Sequence, residues 1–237
     1  MSKVRLDQLL VKKGLVSSRS QAESWIRLKK VTVDGRLVEK PGLFVAENSD
    51  IQLIAIEQYV SRAALKLESV AGILGVDFND KVVLDVGSST GGFTDYALRQ
   101  GASKVIAVDV GTDQLHSTLR DDSRIELHEK TDIRNFMTDQ HIDIVVIDVS
   151  FISLKKILPS VIRIAPDADI VAMVKPQFEA GFDQTNKGVI KNDSVRRKIL
   201  HEFETWAKTY FIIRQKRDSD IRGSKGNRER FYLLNIL

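Results

Sequence analysis

The sequence holds no cysteine. That excludes a disulfide framework and cysteine-ligated zinc, and it fits a reducing cytoplasmic setting. It also excludes one chemistry, methylation of a pyrimidine C5 through a covalent cysteine adduct, which needs a thiol nucleophile. Long apolar runs are missing as well. None approaches the ~20 residues that span a bilayer, and Met1-Ser2-Lys3-Val4-Arg5 leads into an amphipathic pattern instead of an apolar signal core. No membrane partner is therefore expected. Histidine is scarce: His116, His128, His141 and His201 show no metal-ligand spacing, so no metal site is expected.

What is present starts with an uneven charge. The chain carries a formal net charge of +4. Residues 1–40 contribute +6 and residues 214–230 contribute +4, which leaves −6 for the remainder. Two basic ends around an acidic middle read either as polyanion-binding surfaces or as solvated charged faces.

The most informative stretch is Val82-Val83-Leu84-Asp85-Val86-Gly87-Ser88-Ser89-Thr90-Gly91-Gly92-Phe93. An apolar run ends at a carboxylate and breaks into a glycine-rich turn. A helical pattern follows, then a second apolar run, 104–108, ends at Asp109. This opens a nucleotide-binding βαβ unit, in which the turn admits a ligand and the second acid holds ribose hydroxyls. The glycines at 87, 91 and 92 do not make the G-x-G-x-x-G fingerprint of dinucleotide enzymes. Without a diphosphate to cradle, S-adenosylmethionine is the expected ligand. Asp132, after the third strand pattern, offers an acceptor for an adenine amino group. Any one of these acids alone could merely cap a helix.

Further strand patterns fall at 125–127, 144–147, 170–174, 211–215 and 231–234, with helical patterns between most of them, notably 154–164 and 195–210. The alternation predicts an α/β fold, a Rossmann-like doubly wound and mostly parallel sheet over 60–237. Two strand ends carry unusual residues. The fourth ends Asp148-Val149-Ser150-Phe151, and the fifth ends Lys175-Pro176-Gln177-Phe178-Glu179. A lysine closing an apolar strand needs a carboxylate, and Asp148 can supply it. Crowding by another cation makes such a lysine a usable base, although the pair could instead be purely structural. The Asn/Asp-Pro-Pro-aromatic motif of amino-group methylases is not there. Trp25 and Trp206 fall at helical core positions.

Residues 1–56 read as a smaller αβ module. Leu6, Leu9 and Leu10 share one helical face; Ser18 and Gln21 suggest a capping box for a second helix bearing Ala22, Trp25 and Ile26. Val31-Thr32-Val33-Asp34-Gly35-Arg36-Leu37-Val38 predicts a hairpin, because Asp-Gly suits a type I′ turn. With Arg5-Leu6-Asp7 and Ser18-Arg19-Ser20-Gln21-Ala22, this module resembles the S4-like RNA-binding domain. The resemblance implies that Arg5, Arg19, Lys29 and Lys30 face RNA phosphates. Lys29 stands where that family usually has glycine, which predicts either a strained corner or a different helix end.

The larger module resembles the FtsJ/RrmJ-type ribose 2′-O-methyltransferases, and the whole chain resembles the TlyA family, whose members are often labelled haemolysins. The residues that carry this are Tyr59-Val60-Ser61-Arg62 with Lys66, the stretch from Asp85 to Thr94, Asp109-Val110-Gly111, Asp148 to Leu154, Val174 to Glu179, and Gly226-Asn227 with Glu229. The resemblance implies a ribosomal RNA methyltransferase, acting on cytidine ribose, with ribosomal RNA or a ribosomal subunit as partner. It implies a catalytic tetrad of Lys66, Asp148, Lys175 and Glu229, with Glu179 the other candidate for the last place. Asp85, Gly87, Ser89, Thr90, Gly91, Gly92, Phe93, Asp109 and Asp132 would hold S-adenosylmethionine. The competing expectations are a membrane-active haemolysin and a non-catalytic RNA-binding assembly factor.

Overall fold

The computed structural model describes residues 3–16, 19–54, 59–180, 185, 188–223 and 226–237. The first module runs β1 (Lys3–Arg5), α1 (Leu6–Lys12), α2 (Arg19–Arg27), β2 (Val31–Val33), β3 (Arg36–Leu37), β4 (Phe44–Ala46) and β5 (Ile51–Leu53). Strand β2 lies between β3 and β5, antiparallel to both, and β1 pairs antiparallel with β4. Asp34 and Gly35 take φ of 50° and 76°, the two left-handed positions that a type I′ turn requires. Leu6, Leu9, Leu10, Ala22, Trp25 and Ile26 form the module's core, so the expected helical faces are the buried ones. Ser17 and Ser18, the start of the expected capping box, lie outside the described residues. Helix α2 ends with Lys29 N–H donating to Ile26 O and Lys30 N–H to Trp25 O. That is a Schellman ending with Lys29 at the left-handed position, φ 58°. The corner keeps the shape that glycine favours, at a strain of roughly 1–2 kcal/mol.

The second module runs α3 (Arg62–Leu74), β6 (Val82–Val86), α4 (Gly92–Arg99), β7 (Lys104–Val108), α5 (Ser117–Arg120), β8 (Ile125–His128) and β9 (Ile144–Ile147). A 3-10 turn (Leu154–Lys156), α6 (Leu158–Ile164), β10 (Asp169–Val174), α7 (Pro176–Glu179), α8 (Asp193–Ala207), β11 (Phe211–Asp218) and β12 (Arg230–Ile236) complete it. The sheet order is β11-β12-β10-β9-β6-β7-β8. Strands β6 to β10 are parallel, and β12 runs antiparallel to both β10 and β11. Strand residues alternate between two faces. Val83, Val105, Val146 and Val171 pack toward α3 and α4, while Leu84, Ile106, Val145 and Ile170 pack toward α6 and α8. The chain leaves β6 toward one edge and returns at β9 beside it. This reversal opens a crevice at the carboxyl ends of β6 and β9, where open α/β sheets take ligands.

Part of the basic run 214–230 is engaged in ion pairs within the fold. Arg196 and Arg230 both donate to Asp218 Oδ1, at 2.7 and 2.6 Å, and Lys216 donates to Glu204 at 2.8 Å. These bonds tie α8 to the two terminal strands. The modules meet through apolar packing: Leu65 of α3 and Ile221 belong to the first module's core.

Candidate active site

Strand parity aims Asp85 from β6 at α4, where it is fully buried. Its Oδ2 accepts a 2.7 Å hydrogen bond from Thr94 Oγ1. Its Oδ1 has no hydrogen-bond partner among the described residues. Burial raises the Asp85 pKa to about 7, against the opposing Thr94 bond and with help from the Asp148 charge. Asp85 lines a cavity of about 130 Å³ with Ser61, Ser88, Phe93 and Lys175. The glycines explain how the backbone comes so close. A Cβ on Gly87, φ 84°, would lie 2.9 Å from Asp148 O; one on Gly92 would lie 2.2 Å from Ser61 Oγ. Gly91, φ 90°, caps α4. Ser89 itself sits at φ 47°, and Thr90 O accepts from His116 N.

A larger cavity, about 480 Å³, opens beside the loop between Gly87, Asp109, Asp132, Val149 and Ile157. Asp109 accepts Ser89 N–H at 2.8 Å and Gly111 N–H at 2.6 Å, so the acid at the end of β7 also shapes the loop. Asp132 is held by Arg134, whose Nη2 lies 2.6 Å away. Hydrogen bonding from Arg134 keeps the Asp132 carboxyl below its usual range, burial opposing. The adenine acceptor expected at Asp132 is thus a carboxylate–guanidinium pair, both members of which line the cavity.

The four tetrad candidates resolve into two ion pairs. Lys66, on α3, donates to Glu229 Oε1 at 3.1 Å. Lys175 Nζ lies 2.5 Å from Asp148 Oδ1 and donates to Ser150 Oγ at 2.7 Å. Lys66, Lys175 and Glu229 face one cavity of about 280 Å³. Glu179 is engaged elsewhere: it accepts from Ser153 Oγ at 2.6 Å and Leu154 N–H at 2.7 Å, capping the 3-10 turn. Burial pushes its carboxyl pKa up. Glu229, and not Glu179, pairs with Lys66.

Ser150 lines all three cavities, and Lys175 lines the first and third, so they form one connected groove. Sequence reasoning quoted Ser150 and Phe151 within a motif but assigned them nothing. Phe151 is 90% exposed at φ 65°, with its ring 5.1 Å from that of Phe178. An exposed aromatic in a conformation that side chains avoid is a strained, functional-site feature. No periodicity marks it, because it lies on the turn after β9.

Each of the expected RNA-facing residues has an acidic partner within the protein. Arg5 and Arg19 converge on buried Asp7, each within 2.8 Å of Oδ2. Burial raises the Asp7 pKa, but the two guanidinium bonds outweigh it and hold the carboxyl below its usual value. Lys29 pairs with Glu39 at 3.0 Å and Lys30 with Glu68 at 3.7 Å. About half of the Arg19 side chain stays exposed, so part of its donor set faces solvent.

Residues 59–236 match the model of the FtsJ-like methyltransferase family, and residues 4–51 match that of the S4 domain. The 23S rRNA (cytidine-2′-O)-methyltransferase TlyA of Campylobacter jejuni is 42% identical over 74% of this chain and 70% of its own. Hemolysin A of Brachyspira hyodysenteriae is 36% identical over 99% of this chain and all of its own. A solved structure from Streptococcus thermophilus, bearing a hemolysin description, superposes with a TM-score of 0.73 at 37% identity, covering 100% of this chain and 89% of that one. With an S4 domain ahead of an FtsJ-like domain and two lysine–carboxylate pairs at its crevice, the chain belongs to the TlyA family of FtsJ-like methyltransferases.

Proposed function

We propose that this protein is an S-adenosylmethionine-dependent ribose 2′-O-methyltransferase acting on cytidine in ribosomal RNA, in the cytoplasm. We also propose that residues 1–56 engage the RNA and 60–237 carry the chemistry. The observation that carries this reading is two lysines, each with a carboxylate partner, on one cavity joined to the glycine-loop groove. The residues fit the cofactor. Asp85 Oδ1, buried and without a partner among the described residues, offers an acceptor for an ammonium group. Gly87 and Gly92 leave room that a Cβ would fill. Asp109 has carboxylate lone pairs for ribose hydroxyls, and the wider cavity beside it suits an adenine ring. S-adenosylmethionine supplies an electrophilic methyl group on a sulfonium centre.

The protein's own residues then have three tasks. Asp148 and Ser150 fix Lys175 Nζ, which orients the ribose 2′-hydroxyl and, as the neutral amine left after it gives its own proton to solvent, takes the hydroxyl proton. Glu229 fixes Lys66 on the same cavity, which keeps a positive charge near Lys175. Phe151 and Phe178 offer rings against which a nucleobase stacks, an interaction worth about 1–3 kcal/mol per base.

Methyl transfer to ribosomal RNA by the full-length protein tests the reading. Lys175→Ala should lower kcat about 10²–10⁴-fold with little change in KM. Lys175→Arg should not restore it, because guanidinium stays protonated. Near-normal turnover by Lys175→Ala would sink the assigned mechanism. A wild-type protein that binds RNA but transfers no methyl group would leave only the RNA-binding assembly role.

A further inference from the structure

At the junction of the two modules lies a cavity of about 140 Å³ that the proposed reaction does not use. Its walls are Glu23, Ser24 and Arg27 of α2, Arg62 at the start of α3, and Ile221, Arg222, Gly223 and Gly226 from the connection before β12. Three guanidinium groups thus face one small space, against one carboxylate.

Those guanidinium groups lack anionic partners among the described residues. Arg62 donates from Nε to Ser24 Oγ at 3.2 Å and from Nη2 to Arg222 O at 3.1 Å, both neutral acceptors. Burial lowers the Arg62 pKa, with Glu23 and Glu229 opposing from beyond ion-pair distance. Arg222 donates to Gly226 O at 3.3 Å. The single acid, Glu23, lies 3.9 Å from Arg19. A half-buried cation with no carboxylate within ion-pair distance is costly, and an oxyanion with several acceptor oxygens relieves that cost.

The same wall reaches the reaction groove. Gly223 lines both this cavity and the one that holds Lys66, Lys175 and Glu229. A Cβ on Gly223 would stand 2.4 Å from Glu229 Oε1, the atom that accepts from Lys66. Gly223 N–H also donates to Asn227 O at 2.9 Å, which closes the turn just ahead of Glu229. Whatever fixes Arg222 therefore fixes the backbone that packs against Glu229.

We propose that the junction cavity binds a backbone phosphate of the RNA substrate through Arg27, Arg62 and Arg222, and that this contact holds the 221–223 backbone so that Glu229 stays on Lys66. The proposal rests on the RNA reading above, but it concerns binding and positioning, so it can fail separately. It ties occupancy of the first module to order in the groove of the second.

The test uses the full-length chain carrying Arg27→Gln and Arg222→Gln together, both exposed residues whose replacement spares the core. RNA affinity is measured across a salt series, with S-adenosylmethionine affinity as a control for folding. Loss of a phosphate contact should flatten the dependence of log K on log salt by about one. Methyl transfer at saturating RNA should drop several-fold, while cofactor affinity stays as in wild type. An unchanged salt slope and RNA affinity would overturn the site. A flattened slope with a full rate at saturating RNA would overturn the positioning half. Inorganic phosphate, titrated into both proteins, separates the remaining source: phosphate binding lost in the variant, with an unchanged RNA slope, would make this a free-anion site and reject the RNA assignment.

Discussion

Asp85 is a fully buried carboxyl group. Burial places its titration at about pH 7, so near neutrality it is part protonated. A protonated carboxyl cannot complement an ammonium group, whereas the carboxylate can. Cofactor affinity should therefore rise with pH through about 7, and binding at pH 7 should release a fraction of a proton. Calorimetry in buffers of different ionisation enthalpy measures that proton, and a pH-independent affinity from 6 to 8 would remove Asp85 from the site. In the empty protein the folded state holds a proton that the unfolded state gives up, so this group's contribution to stability declines as pH climbs from the normal carboxylate range toward 7. Asp7 has the opposite sign. Its carboxyl is held low by Arg5 and Arg19, so its contribution is present above the ordinary carboxylate pKa and is lost as pH falls through it. Asp7→Asn, followed by urea unfolding at pH 7, should cost about 1–3 kcal/mol.

At the level of elements, the two glycines Gly75 and Gly87 separate fold from function. Gly75 ends α3 at φ 72° with nothing near the place a Cβ would take. Gly75→Ala should cost roughly 1 kcal/mol and lower Tm by a few degrees, with cofactor affinity intact. Gly87→Ala adds a contact of 2.9 Å with the Asp148 carbonyl to a similar strain. It should therefore also displace the turn that bears Asp148 and weaken cofactor binding and turnover. Equal effects of the two substitutions on binding would contradict this assignment. These elements were legible because each had a local signal. Strands β6, β7 and β9 are apolar runs with a carboxylate at or just past the end, β10 is an apolar run closed by Lys175, and the β2–β3 turn is Asp-Gly. Strand β1 was not legible, since three residues show no alternation and its partner β4 lies far along the chain. The lysine–carboxylate pairs were half legible. Adjacent strand ends suggest Asp148 with Lys175, but Lys66 on α3 and Glu229, just ahead of β12, meet only in the folded chain, which resemblance to a family implied and spacing could not. Phe151 was quoted in a motif and given no role, because strain and exposure are properties of the folded chain.

For the whole molecule, charge counted along the sequence overstated the surface available to RNA. Arg230 and Lys216 pair with Asp218 and Glu204, while Arg5 and Arg19 neutralise Asp7. Arg27 and Arg222 lack carboxylate partners among the described residues and lie at the seam between modules. No helix among the described residues is long and apolar enough to cross a membrane. The seam itself is apolar where Leu65 and Ile221 complete the core built on Leu6, Leu10 and Trp25. Leu65→Ala should cost about 2–5 kcal/mol, although Leu65 lies outside the S4-like match. The heat-absorption trace of the intact chain should then be one peak, with calorimetric and van't Hoff enthalpies equal, and Leu65→Ala should split it into two. A protein built from two recognisable parts would in this way melt as one cooperative unit, because neither part owns all of the oil that keeps it dry.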